Sequence, residues 1–144
     1  SYFEVDGDSA SMAELCCLIS ALAETPLTQS LAITGAMDQF GNVQAIGAVN
    51  EKIEGYFALC KERGLTGEHG VIIPASNQAQ LNLAPEIIEA VEHGKFSVHT
   101  VEHVEEALEL LTGVSKNELF DRVRGHIHDP DEQQRKPWWK RLFD

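Results

Sequence analysis

Apolar side chains recur with a helical period in five parts of the chain and form short apolar runs in four others. In an amphipathic helix such residues return every three or four positions, whereas a buried strand is a short continuous run. The pattern predicts helices over residues 9–24, 49–63, 85–93, 104–111 and 115–128, and strands over 31–35, 43–46, 70–74 and 96–100. We expect a turn ending at residues 40–42 to join the first two strands. The alternation of strand and helix predicts a layered α/β or α+β domain.

The length of 144 residues suits one domain, and no apolar stretch approaches the roughly 18 residues that a membrane span needs. The chain has no initiator methionine and starts in a strand-like run over residues 1–5. We therefore interpret it as a fragment of something longer, truncated at its N-terminal side. We expect a main domain over residues 1–113 and a C-terminal helix with a polar tail over 114–144. The tail carries two tryptophans among basic residues, for which packing on a protomer is the first interpretation and partner docking the alternative.

The net charge of −12 is concentrated in the main domain, because residues 1–114 hold 17 Asp and Glu against four Lys and Arg. Such an acidic body repels phosphate backbones, which argues against nucleic acid as a partner. The three cysteines show no metal-ligand spacing. We expect no metal site, and we expect the cysteines to be reduced, buried thiols of a cytosolic protein.

The segment with the clearest chemical potential is 4–11, in which a strand-like run meets Gly7 and a helix is expected to begin at about Ser9. A hydroxyl at such a junction lies beside free backbone N–H groups and the positive end of the helix. The same N–H groups can stabilise a developing oxyanion, which suits a serine nucleophile. The alternative is that Asp8 or Ser9 only caps the helix, and for this segment alone capping is the commoner role.

A serine nucleophile needs a base, and a lysine serves when burial leaves its amine neutral. Lys52 is the candidate, because it lies at the start of the second predicted helix, after the small residues 46–48. Its alternative is a solvated surface lysine. Lys95, directly after Gly94, is a weaker candidate for the base, since a surface turn is the expected place for it.

Three blocks of sequence, in order, resemble the proteolytic domain of Lon proteases: GDSAS at 7–11, ITG at 33–35 and GNVQAIGAVNEK at 41–52. The form is similar to the LonB-type branch, in which an Asp precedes the serine. The similarity continues through GVIIPASN at 70–77 and covers roughly residues 4–112. The resemblance implies an α/β fold of the ribosomal-protein-S5 domain-2-like type, here truncated at its N-terminal side.

The resemblance also implies the roles of individual residues. Ser9 matches the nucleophile of the family and Lys52 its general base, together a Ser-Lys dyad. Thr34 matches the threonine whose hydroxyl orients that lysine. Backbone N–H groups near Ser9 and Ala10 would form part of the oxyanion hole.

Two acidic residues beside the serine complete the implied site. Asp8 and Asp6 match acidic positions of LonB-like sites, whose carboxylates can pair with the lysine in a resting arrangement. A charged Lys52 paired with Asp8 could not accept a proton, so release of that pair is a plausible activation step.

The implied activity is that of a bacterial, cytoplasmic serine endopeptidase that degrades unfolded or damaged polypeptides as a homo-oligomeric ring of six. No Walker A motif occurs in the sequence, so we expect no cofactor in this chain. ATP and Mg²⁺ would be used by an ATPase module upstream. One alternative is a non-proteolytic Lon-like scaffold that holds a ring together. A second is an amidase or esterase acting on small molecules.

Overall fold

The computed structural model describes residues 10–128. The helices are α1 (Ser11–Leu22), α2 (Val49–Arg63), α3 (Pro85–Glu92), α4 (Val104–Thr112) and α5 (Lys116–His128). The strands are β1 (Leu31–Ile33), β2 (Ala36–Met37), β3 (Val43–Gln44), β4 (Gly70–Pro74) and β5 (Ser97–Val101), and a 3₁₀ helix covers Ala75–Gln80. The mixture of strands and helices confirms the predicted α/β class.

A parallel sheet with the strand order β1-β4-β5 forms the centre of the described chain. Val71 on β4 lies opposite Ala32 on β1 and Val98 on β5. Parallel neighbours need long crossover connections, and α2 and α3 supply them before β4 and β5. All five residues of β4 are buried, as expected for the middle strand of a sheet covered on both faces.

The alternation of side chains along β4 separates the core into two apolar clusters. Val71 and Ile73 pack with α2 and α3 through residues such as Ile53 and Ile87. Ile72 points to the other face and packs with the members of the second cluster on α1, α4 and α5, among them Met12, Cys16, Leu108 and Leu119. Because successive strand residues face opposite sides, one short apolar run anchors a layer of helices on each face.

A close approach between β4 and β5 explains the glycine at the start of β4. A Cβ built on Gly70 would lie 2.1 Å from the Ser97 hydroxyl oxygen and 2.6 Å from the Ser97 carbonyl oxygen. Any larger residue would therefore push the two strands apart at this point. The sheet register depends on the absence of a side chain at Gly70.

The sequence pattern wrongly predicted that the first two strands, 31–35 and 43–46, are joined directly by a turn. Strand β1 ends at Ile33 and belongs to the parallel sheet, whereas β3 pairs with the separate strand β2 in an antiparallel pair. Asp38 stabilises the turn, because its carboxylate accepts bonds from the Phe40 and Asn42 amides and the Asn42 side chain. The Asn42 side-chain bond and then the Asn42 amide hold the pKa of Asp38 below its usual value.

Other predicted elements agree with the structure within two residues. The bounds of α2 and β4 match the prediction, and the buried face of α2 contains the expected Ile53, Tyr56, Phe57 and Cys60. The 3₁₀ helix was not predicted, and α1 begins two residues later than expected. Within residues 10–128, no helix combines the length and the apolar character required to cross a bilayer.

Candidate active site

The described chain contains three of the six residues proposed for the site: Ala10, Thr34 and Lys52. The other three, Ser9, Asp8 and Asp6, lie outside the described residues.

Thr34 follows β1 directly, at the carboxyl end of the strand. Its amide donates a hydrogen bond to the Ile72 carbonyl at 3.1 Å, which continues the pairing with β4. Its side chain is 1% exposed, and its hydroxyl oxygen has no hydrogen-bond partner among residues 10–128. Burying a hydroxyl without a partner costs about 1–3 kcal/mol, so a group that pairs with Thr34 would be strongly favoured at this position.

Helix α1 begins against the same end of β1. The Met12 amide lies 3.4 Å from the Gly35 carbonyl oxygen, and the Met37 amide donates to the Ser11 hydroxyl at 3.2 Å. Ala10 is the N-cap residue, is 9% exposed and makes no side-chain cap bond. In the sequence, Ser9 directly precedes this N-cap.

Lys52 lies in the first turn of α2, where its amide donates to the Ala48 carbonyl at 3.1 Å. It is partly buried, whereas the three other lysines of residues 10–128 are exposed: Lys61, Lys95 and Lys116. No hydrogen bond or ion pair joins the Lys52 ammonium to another residue within 10–128. Among the lysines of this range, Lys52 is thus the least exposed.

The start of α2 lies near the carboxyl end of β4. Asn77, three residues after the end of β4, bonds through its side chain to both backbone groups of Ile46, at 3.0 and 2.9 Å. Ile46 precedes the N-cap of α2, Ala48, by two residues. The carboxyl ends of the parallel strands, the start of α1 and the start of α2 therefore meet at one edge of the sheet, where α/β proteins usually have their sites.

Lys95, the weaker candidate, lies at the opposite edge. It precedes the first residue of β5, Ser97, by two positions, and β5 runs parallel to β1 and β4. Five residues of strand, about 16 Å at 3.3 Å per residue, separate the two edges. Lys95 is also exposed, which fits the surface turn expected for it.

The cysteines differ in burial, and two of them are poor nucleophiles. Cys16 and Cys60 are buried, as expected, whereas Cys17 is exposed, which makes that part of the prediction wrong. Burial first, and then the neighbouring Cys17, raise the pKa of the Cys16 thiol to about 12. Burial also raises the pKa of the Cys60 thiol. Both thiols therefore remain protonated at neutral pH, and thiolate chemistry at either is disfavoured.

Asn77 is the residue of this edge that the sequence did not single out. It is fully buried and bonds to Ile46 and to the Gln80 side chain. It is the last residue of the block GVIIPASN at 70–77 that resembles the family, but neither the block nor its place after Pro74 indicated a particular role.

Comparison with protein families gives a match over most of the chain. The model of the Lon protease (S16) C-terminal proteolytic domain matches residues 3–114. A Lon protease homolog of Escherichia coli is 51% identical over 146 aligned residues, which cover 96% of this chain. A Lon protease homolog of Haemophilus influenzae is 45% identical over 96% of the chain, and the archaeal Lon protease of Pyrococcus abyssi is 36% identical over 86%.

The relatives are much longer than the chain. The matched part amounts to 25% of the length of each of the two bacterial homologs and 11% of the Pyrococcus abyssi protein. The comparison therefore concerns the proteolytic domain of these proteins rather than their whole length.

Proposed function

Because the chain belongs to the Lon protease (S16) C-terminal proteolytic domain family, we propose that it is the peptidase part of a serine endopeptidase. In this proposal Ser9 is the nucleophile and Lys52 is the general base. The substrates are unfolded or damaged polypeptides. The assembly is a cytoplasmic ring of six copies, and ATP and Mg²⁺ are used by an ATPase module in another part of the protein.

The burial of the Thr34 hydroxyl is the observation that carries the proposal. This hydroxyl has no partner among residues 10–128, and it lies at the sheet edge where α1 and α2 begin. The amine of Lys52, in the first turn of α2, is the group that would pair with it. Such a bond would satisfy the Thr34 hydroxyl. It would also hold the Lys52 amine in one orientation, towards the start of α1.

The chemistry then follows from these positions. The Ser9 hydroxyl oxygen attacks the peptide carbonyl carbon while the Lys52 amine accepts the hydroxyl proton. The oxyanion that forms is stabilised by backbone N–H groups near Ser9 and Ala10, at the positive end of α1. Lys52 returns the proton to the leaving amine, which gives an acyl-enzyme on Ser9. It then accepts a proton from the water that attacks the ester and returns this proton to the Ser9 oxygen as the ester bond breaks, which frees the acid product and restores both residues.

Asp8 and Asp6 have a regulatory role in this proposal. Their carboxylates pair with a protonated Lys52 in a resting state, and loss of that pair frees the amine to act as a base. The change Asp8→Ala is expected to leave the hydrolysis rate unchanged or to raise it. A complete loss of hydrolysis in a folded Asp8→Ala variant would show that Asp8 is needed for catalysis itself.

Degradation of an unfolded protein tests the proposed function. The complete protein is incubated with denatured casein, with and without ATP, beside the variants Ser9→Ala, Lys52→Ala and Lys95→Ala. We expect the first two variants to lose at least about a hundredfold in rate, because Ser9→Ala removes the nucleophile and general base catalysis by Lys52 contributes that much or more. Lys95→Ala, at the opposite edge of the sheet, is the control and should retain the full rate.

Two other outcomes separate the alternatives. If the wild type does not cleave casein with or without ATP, the scaffold function is favoured and Ser9 is only a residue beside a helix start. If it hydrolyses small esters and leaves casein intact, the chain is a small-molecule hydrolase.

A further inference from the structure

The side chain of Asn77 binds both backbone groups of one residue that is 31 positions away. Its Oδ1 accepts a bond from the Ile46 amide at 3.0 Å, and its Nδ2 donates to the Ile46 carbonyl at 2.9 Å. Nδ2 also donates to the Gln80 side-chain oxygen at 2.8 Å. Asn77 is 0% exposed, so water does not compete for these bonds.

These bonds fix the loop before α2 in addition to the packing of the partly buried Ile46 side chain against the first apolar cluster. Gly47 and Ala48, which follow Ile46, are exposed, and a Cβ built on Gly47 would have no atom within 4 Å. Ala48 has left-handed backbone angles, with φ 57° and ψ 37°, which a residue with a Cβ adopts only when its surroundings require it. The Ala48 carbonyl in turn accepts a bond from the Lys52 amide, which connects the turn that begins at Ile46 to the part of α2 that carries Lys52.

A second amide bridge ties the first turn of α2 to the same segment. The Asn50 side chain donates to the Gln80 carbonyl at 2.9 Å and accepts from the Asn82 amide at 2.7 Å. This bridge is more exposed than that of Asn77 and lies within the first turn of α2 rather than in the loop before it. The segment after β4 thus bonds both to the loop before α2 and to the first turn of α2.

We propose that Asn77 is a positioning residue for Lys52, an inference that rests on the proposed function. Asn77 does not act on the substrate. It fixes the Ile46–Ala48 turn, and through it the direction from which the Lys52 amine approaches Ser9. Small displacements of a catalytic group reduce the rate of the chemical step much more than the binding of substrate.

The test compares Asn77→Asp and Asn77→Ala with Lys52→Ala in the complete protein, using a fluorogenic peptide that the wild type cleaves. Aspartate keeps the shape of asparagine and the acceptor for the Ile46 amide, but an ionised carboxylate cannot donate to the Ile46 carbonyl. We expect kcat to fall roughly tenfold or more with KM within about twofold. The core variants Ile87→Val and Ile87→Ala, which lose stability away from the site, are controls and should keep the wild-type kcat when folded.

The outcomes separate this inference from the proposed function. If Lys52→Ala is inactive and a folded Asn77→Asp keeps the wild-type kcat, the positioning role is wrong and the dyad stands. If kcat falls as much in the Ile87 variants at equal stability, the role of Asn77 is structural only, and the inference is also wrong. If Lys52→Ala is fully active, both the dyad and the positioning role are overturned.

Discussion

The amide of Met12 points at the carbonyl oxygen of Gly35 across 3.4 Å, and the Met12 side chain occupies the space beside Gly35. A Cβ on Gly35 would lie 2.7 Å from the Met12 methyl carbon and 3.3 Å from a Val43 methyl carbon. This contact joins the start of α1 to the end of β1. It therefore couples the segment that carries Ser9 to the sheet edge that carries Thr34.

Replacing Gly35 by alanine should disturb both the fold and the site. We expect Gly35→Ala to lower the free energy of unfolding by about 1–3 kcal/mol, the usual cost of forcing an extra methyl into a packed core. Peptidase activity should fall with it, because the buried Met12 side chain must be repacked at the start of α1. Denaturant unfolding measures the first effect and peptide cleavage the second.

Gly47→Ala is the matched control for Gly35→Ala, since a Cβ at Gly47 has no atom within 4 Å. Its free energy of unfolding should remain within about 0.5 kcal/mol of the wild type, as for most substitutions without steric conflict. Equal stability loss in the two variants would contradict the packing explanation.

The Thr34 hydroxyl should matter more for activity than for stability. We expect Thr34→Val to change the free energy of unfolding by less than about 1 kcal/mol, because a buried hydroxyl without a partner in residues 10–128 is replaced by a methyl of similar shape. Activity should fall at least about tenfold, since the Lys52 amine would lack the hydroxyl proposed to orient it in the active arrangement. Thr34→Ser keeps the hydroxyl and should retain most of the activity. A large stability loss in Thr34→Val with unchanged activity would assign the hydroxyl to the fold alone.

Ionisation of Cys16 should destabilise the protein at alkaline pH. The ordinary pKa of the thiol is 9.0, and burial raises it to about 12 in the folded protein. Because the folded state holds the proton more tightly than the unfolded state, the stabilisation is complete below pH 9 and is lost as the pH rises from 9 towards 12.

Unfolding measurements between pH 8 and about 11 test this linkage. The free energy of unfolding should fall more steeply in the wild type than in Cys16→Ala, which has no thiol at this position. Cys17→Ala removes an exposed thiol and should follow the wild type. Parallel curves for the wild type and Cys16→Ala would show that the buried thiol contributes nothing to the pH dependence.

Strong hydrophobic patterns allowed much of the fold to be predicted from the sequence. Helix α2 has an apolar face that recurs over fifteen residues, and β4 is a continuous apolar run followed by a 3₁₀ helix. The hairpin was predicted wrongly because β2 and β3 have two residues each, too few for a periodic signal.

The residues of the proposed site were predicted from short sequence blocks that resemble the family rather than from hydrophobic periodicity. Thr34 and Lys52 were selected through the family resemblance, and the structure places the elements that carry them at one edge of the sheet. Asn77 closes the block GVIIPASN at 70–77, which also resembles the family, but the resemblance assigned it no role. Its role follows from two bonds to a residue 31 positions away, and no local pattern encodes such a contact.

Covalent labelling of the nucleophile tests the central claim most directly. The complete protein, wild type and Lys52→Ala, is treated with a fluorophosphonate, and the modified peptide is identified by mass spectrometry. The Ser-Lys dyad predicts one adduct on Ser9 in the wild type, formed at least about a hundredfold more slowly in Lys52→Ala. An adduct on another residue, or equal labelling rates in the two proteins, would contradict it.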